Sequence, residues 1–246
     1  MIIGDFMDGI LKRETPILPS LCDYSAELSL SSAAMLFMDM AMMHAEKLGI
    51  GFTGFNERGL FWVAVKTRIK IYKRPKMAET VMFATWPEEA GGFKCNRDYE
   101  IYDENGTYAV GKTEWAIIDS NTHVPQKATD IYPEGLPIEE KRVIPQPFEK
   151  LKGDFEGELL GTYRIRNIDT DYGKHMNNVA YIRAIEGIFT SEELSRRDFK
   201  ELEIHYKNPC FEGETISFYG VEENGILDLK ILNEEGKTAV LARLKS

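Results

Sequence analysis

The chain carries one alternation of hydrophobic and polar positions twice. From Phe61 to Ile71, Val63, Val65, Thr67, Ile69 and Ile71 fall on one side and Lys66, Arg68 and Lys70 on the other. Period two over that length predicts a half-buried strand. Residues 80–87, 95–103 and 107–118 read as further strands, and Asn105-Gly106 between the last two is a hairpin turn signal. Upstream, Ser31 or Ser32 can cap a helix over about residues 33–48, which Gly49 ends. That helix is apolar on most sides and interrupted by Asp39 and Glu46, the pattern of a buried central helix. Residues 26–30 alternate and read as a short strand, residues 50–60 as a Gly-rich loop. Residues 1–24 show no assignable pattern.

From Ser120 to about Gly157 no period is sustained, and Pro125, Pro133, Pro137, Pro145 and Pro147 punctuate the segment. This predicts a long crossing linker. The first pattern then returns: a strand over 159–166, a helix over 177–188, and strands near 199–207, 214–222, 226–232 and 237–244. Words recur too. Tyr72-Lys73-Arg74-Pro75 followed by Glu79-Thr80-Val81 resembles Tyr206-Lys207-Asn208-Pro209 followed by Glu214-Thr215-Ile216. Asp103-Glu104-Asn105-Gly106 resembles Asn233-Glu234-Glu235-Gly236, and Ala109-Val110 resembles Ala239-Val240. A spacing of roughly 130–135 residues marks an internal duplication of a helix-plus-antiparallel-sheet unit. The expected class is α+β. The expected division is an N-terminal domain over 1–124, a linker over 125–157 and a C-terminal domain over 158–246.

A net charge of -10 argues against a nucleic-acid partner. Cys22, Cys95 and Cys210 are far apart, without metal-ligand spacing, which points to a reducing compartment. Asp5 and Asp8 interrupt the apolar N-terminal stretch and spoil it as a signal peptide. No apolar run approaches the ~20 residues of a membrane span. The expectation is a cytoplasmic protein with no membrane partner. Against the overall sign, Lys66, Arg68, Lys70, Lys73, Arg74 and Lys76 occur with no acidic residue among them. Such a run is either a solvated strand face or a docking patch for an acidic partner, with Lys70, Lys73 and Arg74 the candidates. The first helix is rich in methionine. Met35, Met38 and Met42 can line a site for a flexible apolar chain, or simply pack in the core.

The stretch Asn167–Glu186, NIDTDYGKHMNNVAYIRAIE, concentrates the chemistry. Asp169 and Asp171 lead into a Gly-Lys turn, His175 follows, and Asn177 or Asn178 can cap the helix behind it. Free amides at a helix start can polarise a carbonyl oxygen. An acid, a possible base and such amides are equipment for attack of water on an acyl group. The alternative is an ordinary capped helix after a polar turn. A second chemistry uses Cys210 as nucleophile with His175 as base, and a third reading leaves Cys210 a small buried residue. His44, His123, His175 and His205 show no ligand spacing, so neither metal nor cofactor is expected.

Over nearly the whole chain the sequence resembles the acyl-acyl carrier protein thioesterases. AMMHAEKLG, LFWVAVKTRIKIYKRPK and GKTEWAIID resemble that family's first helix, first strands and a late strand. DYGKHMNNVAYI resembles its D-x-N-x-H-x-N-N-x-x-Y-I signature, and LEIHYKNPC its strand before a Glu-Cys pair. The resemblance implies a double hotdog fold, two long central helices each wrapped by an antiparallel sheet. It implies hydrolysis of fatty acyl-carrier protein to free fatty acid, with the carrier protein as partner to a monomer or homodimer. By position, Asp171 and His175 match the family's catalytic pair, with Asn177 beside them. Gly173 stands where the family usually has Asn, and Pro209 where some members have a catalytic Glu. From the repeat, Pro75 is expected to hold the place of Pro209 in the first copy, ending a strand. The same chemistry on an acyl-CoA or aromatic-CoA thioester, or acyl binding without catalysis, are the alternatives.

Overall fold

The computed structural model describes residues 9–246, so Asp5 and Asp8 lie outside the described residues. In chain order the strands are β1 (Leu11–Pro16), β2 (Leu60–Ile71), β3 (Thr80–Pro87), β4 (Cys95–Asp103), β5 (Gly106–Asp119), β6 (Pro125–Gln126), β7 (Glu158–Arg164), β8 (Glu201–Tyr206), β9 (Thr215–Glu223), β10 (Ile226–Leu232) and β11 (Thr238–Lys245). The helices are α1 (Leu30–Lys47), α2 (Phe52–Glu57), α3 (Asn178–Gly187) and α4 (Ser191–Arg197). The chain is therefore mixed α+β with antiparallel sheet. It divides into two compact units. The first holds the chain up to Val65 and Ile71–Pro147; the second holds Lys66–Lys70 and Phe148–Ser246.

In the first unit the strands lie in the order β1-β3-β4-β5-β2, with β6 beside β5. The inner face of this sheet packs on α1. Phe37 stacks on Tyr99 of β4 at 4.8 Å and meets Phe83 of β3 edge-on at 6.1 Å. Gly111 of β5 gives the Phe37 ring its place, since a Cβ there would come within 2.7 Å of it. The helix begins earlier than its sequence suggests. Ser29 is the cap and accepts from the Ser32 amide at 3.1 Å, so residues 26–30 are loop and helix start rather than strand. Alternation over so few residues cannot be told from a capped turn. Segment 50–60, expected as loop, contains α2, anchored by Phe55 stacked on Trp62 at 5.2 Å.

In the second unit the segment Lys66–Lys70 is followed by β8, β11, β10, β9 and β7, each pair antiparallel. Helix α3 buries Val179, Ala180, Tyr181, Ile182, Ala184 and Ile185. The Tyr206 hydroxyl of β8 donates to the Asn178 carbonyl at 3.3 Å. Both units bulge at matching positions. The ladder slips after Ile101 in one and after Ile231 in the other. The skipped residue's carbonyl then serves two amides, Tyr108 taking Tyr72 and Lys73, Ala239 taking Lys207 and Asn208. A bulge frees a carbonyl from the ladder, and here the turn between strands uses it.

The outer sheet faces are charged and covered. In the first unit the segment after Pro137 crosses β3–β5. The Trp86 indole donates to the Lys141 carbonyl at 2.9 Å, the Lys112 ammonium to the Ile144 carbonyl at 3.4 Å, and Arg142 pairs with Glu88 at 3.3 Å. Beneath it lies Asp98, fully buried, both carboxyl oxygens without a hydrogen-bond partner among the described residues. Burial, then the charge of Glu88, push its pKa up to about 7. A carboxyl whose folded value lies above its unfolded one stabilises at low pH and stops doing so as pH rises through the folded value. Urea midpoints of Asp98→Asn should therefore lack a decline that the parent shows between about pH 4 and 7. His44, on the buried side of α1, runs the other way. Burial and the neighbouring Arg97 and Lys47 push it down to about 3, so its contribution is lost as pH falls from its ordinary range.

In the second unit the cover is Phe148 and Glu149. Arg68 of β2 is 3% exposed, Glu203 of β8 1%. Glu203 accepts from Arg68, from the Glu149 amide at 2.7 Å and from His205 at 2.7 Å. Glu149 in turn pairs with Arg243 at 2.7 Å and with Lys245. The sequence offered a solvated strand face or a docking patch for Lys66, Arg68 and Lys70, both of them exposed. The structure buries Arg68 because β8 brings carboxylates alongside it. Glu149, Glu201 and Glu203 converge closely enough to hold a cation. Arg68, Lys70, Arg243 and Lys245 already occupy them, so they read as an ion-pair network. Among the described residues no helix is long and apolar enough to cross a membrane.

Candidate active site

The loop before α3 is built by its own backbone. A single 3-10 turn, Asn167–Asp169, is closed by the Asp169 carboxylate, which accepts from the Arg166 amide and the Tyr163 hydroxyl, both at 2.8 Å. Asp171 and His175 then face across a turn. The Asp171 amide donates to the His175 carbonyl at 3.0 Å, and the Lys174 amide to the Asp171 carbonyl at 2.9 Å. Lys174 takes the left-handed conformation the reversal needs, φ 62°, and Gly173 does not. Asn177 is the helix cap, its side chain accepting from the Ala180 amide at 2.9 Å. The first-turn amides of Asn178 and Val179 precede the point where intrahelical acceptors begin.

The side chains converge on Gly173. Its amide donates to Asp171 Oδ1 at 2.8 Å. A Cβ at Gly173 would stand 3.1 Å from Asp171 Oδ1 and 3.4 Å from His175 Nδ1. Carboxylate and imidazole thus flank one bare Cα, and the absence of a side chain keeps the space between them clear. Asp171 and Gly173 are exposed, and His175 is half-buried against Phe211, ring edge to face at 5.2 Å. An acid, a base and helix-start amides meeting at an accessible point can activate water against an acyl carbonyl.

Cys210 is fully buried. Burial raises its pKa, Tyr181 opposes in part and Glu214 adds to the rise. A thiol so placed is a poor thiolate. Its backbone does the visible work, the Met176 amide donating to the Cys210 carbonyl at 2.8 Å. In the first unit the matching bond runs from Leu28 to the Pro75 carbonyl at 2.9 Å. The counterpart of Pro75 is therefore Cys210 and not Pro209. Tyr163 and Phe211 did not stand out in the sequence; Asp169 did, as one of the two carboxylates before the turn, and here it closes the 3-10 turn.

The remaining candidates belong to other elements of the chain. Met35 and Met38 are half-buried on α1, and Met42 is 59% exposed. Lys70 pairs with Glu201 at 3.5 Å, Arg74 with Asp23 at 2.6 Å, and Lys73 lies over the Tyr108 ring at 3.9 Å. A groove of about 280 Å³ lined by Lys12, Trp86, Glu100 and Lys141 in the first unit includes none of the residues named for the site.

Comparison with known proteins identifies the family. Oleoyl-acyl carrier protein thioesterase 2, chloroplastic, of Arabidopsis thaliana is 24% identical over 207 residues, covering 76% of this chain and 56% of the relative. The chain thus spans little more than half that relative's length. The fold matches an acyl-ACP thioesterase crystal structure from Bacteroides thetaiotaomicron, with a TM-score of 0.83, 22% identity and 96% and 97% of the two chains covered. It also matches the 12:0-ACP thioesterase from Umbellularia californica, with a TM-score of 0.79, 16% identity and 98% of each chain covered. Residues 11–135 match the Acyl-ACP thioesterase N-terminal domain and residues 154–245 the Acyl-ACP thioesterase C-terminal domain. The chain belongs to the acyl-ACP thioesterase family.

Proposed function

We infer that the chain hydrolyses the thioester of a fatty acyl-acyl carrier protein, each unit being a hotdog domain. The observation that carries this is the pair Asp171 Oδ1 and His175 Nδ1 flanking the bare Cα of Gly173 at a capped helix start. Water held there loses a proton to Asp171, with His175 orienting it. The oxygen adds to the thioester carbonyl, and the first-turn amides of α3 take up the negative charge. The C–S bond then breaks, and the carrier's thiol leaves with the proton. The cationic residues Lys70, Lys73 and Arg74 serve the acidic carrier, and Met35, Met38 and Met42 the acyl chain.

Turnover of acyl-carrier protein and acyl-CoA of several chain lengths by the purified chain tests the reading. Preference for the CoA ester, or no turnover of either, would overturn it. Of the three cations Lys73 is the exposed one, with Asp103 near enough to feel its charge but no close ion pair among the described residues. Lys73→Glu should raise KM for the carrier-bound substrate at low salt, and less so at high salt, where exposed charges are screened. An unchanged KM at low salt removes the docking role.

A further inference from the structure

The loop that carries Asp171 and His175 exists twice. In the first unit the run Asp23-Tyr24-Ser25-Ala26-Glu27-Leu28-Ser29 repeats the backbone of Asp171-Tyr172-Gly173-Lys174-His175-Met176-Asn177 bond for bond. The Asp23 amide donates to the Glu27 carbonyl at 2.9 Å, as Asp171 does to His175 at 3.0 Å. The Ala26 amide donates to the Asp23 carbonyl at 3.0 Å, as Lys174 does to Asp171 at 2.9 Å. Ser25 donates to Asp23 Oδ1 at 2.9 Å, as Gly173 does to Asp171 Oδ1 at 2.8 Å. Ala26 and Lys174 share the left-handed conformation, φ 57° and 62°. Ser29 and Asn177 both cap the helix that follows.

Two side-chain differences between the copies bear on the chemistry. Glu27 stands where His175 stands. Arg74 holds the Asp23 carboxylate at 2.6 Å. Arg74 directly precedes Pro75, whose carbonyl takes the Leu28 amide; Pro209 directly precedes Cys210, whose carbonyl takes the Met176 amide. Pro209 is therefore the counterpart of Arg74. A proline carries neither charge nor donor. Among the described residues no cation pairs with Asp171.

We propose that the Asp23 loop is a silenced second copy of the active-site loop, and that Pro209 is a positioning residue that keeps Asp171 unpaired and able to take a proton from water. This rests on the hydrolytic reading above. An arginine at 209 would rebuild in the second unit the ion pair that occupies Asp23 in the first.

The test is Pro209→Arg in the full chain, with Pro209→Met as a control of similar length and no charge. Pro209→Arg should lower kcat by roughly tenfold or more with KM little changed, because the carboxylate's basicity and access are both reduced. The acid limb of its pH–rate profile should move down by about 1–3 pH units, since a neighbouring guanidinium favours the ionised carboxylate. Pro209→Met should lose far less activity and keep the parent's profile. Parent-like turnover of Pro209→Arg overturns the proposal, as does a Pro209→Met variant equally impaired with an unmoved profile. Asp171→Asn, assayed alongside, separates the two levels. If Asp171→Asn is active, the placement of the water-activating site at Asp171 fails; if it is inactive while Pro209→Arg works normally, only the present inference fails.

Discussion

Asp171→Asn is expected to lower kcat on acyl-carrier protein by roughly 10²–10⁴-fold, the usual cost of losing a general base. The substitution is a clean one. Asp171 is exposed, and its side chain's local duty is to accept from the Gly173 amide, which an Asn oxygen can also do. Thermal unfolding should therefore stay where it was, and the loss should fall on turnover. His175→Ala should show a comparable loss. Cys210→Ala should keep activity within a few-fold, because the loop uses the Cys210 carbonyl and the thiol is buried and disfavoured as an anion. An active Asp171→Asn variant would move the site elsewhere, and an acyl group trapped on Cys210 would replace the water route with a covalent one.

The second large effect is on stability. Glu203→Ala should reduce the free energy of unfolding by about 3–5 kcal/mol, the range seen when one partner of a buried ion pair is removed. The deletion leaves Arg68 buried with its nearest countercharge gone, and the Glu149 amide and His205 without their acceptor. Urea titration reads it as a lower midpoint. Glu235→Ala, in the exposed pair with Lys237, serves as the comparison and should move the midpoint hardly at all. Equal midpoints for the two variants would mean that the network adds nothing to the fold.

Much of the architecture was legible because it is written in local periods. The strands over 80–87 and 226–232 occur with those bounds, and Asn177 caps its helix as its residue type suggested. What escaped was set by distant partners or by backbone alone. Arg68 looked solvated because its acceptor, Glu203, is 135 residues away in the chain. Helix α4 has its signal in Thr190 and Glu193, a reciprocal cap, but its residues are too polar to show a period. The second copy of the active loop was invisible for another reason. DYSAELS and DYGKHMN share Asp-Tyr and little else. Their common shape rests on main-chain bonds, one left-handed residue and a capping oxygen, and several residue types meet each of those needs.

The charged undersides of the segments that follow Pro137 bear on how the chain folds. A segment without regular structure of its own can make its contacts only once the sheet it crosses exists. Had the covered faces been apolar, each sheet would spend that interval with a sticky surface open to other chains. Glu88, Lys112, Arg68, Glu203 and His205 present ionisable groups instead. An undocked segment therefore bares a face that water solvates, and assembly can wait for it without aggregation.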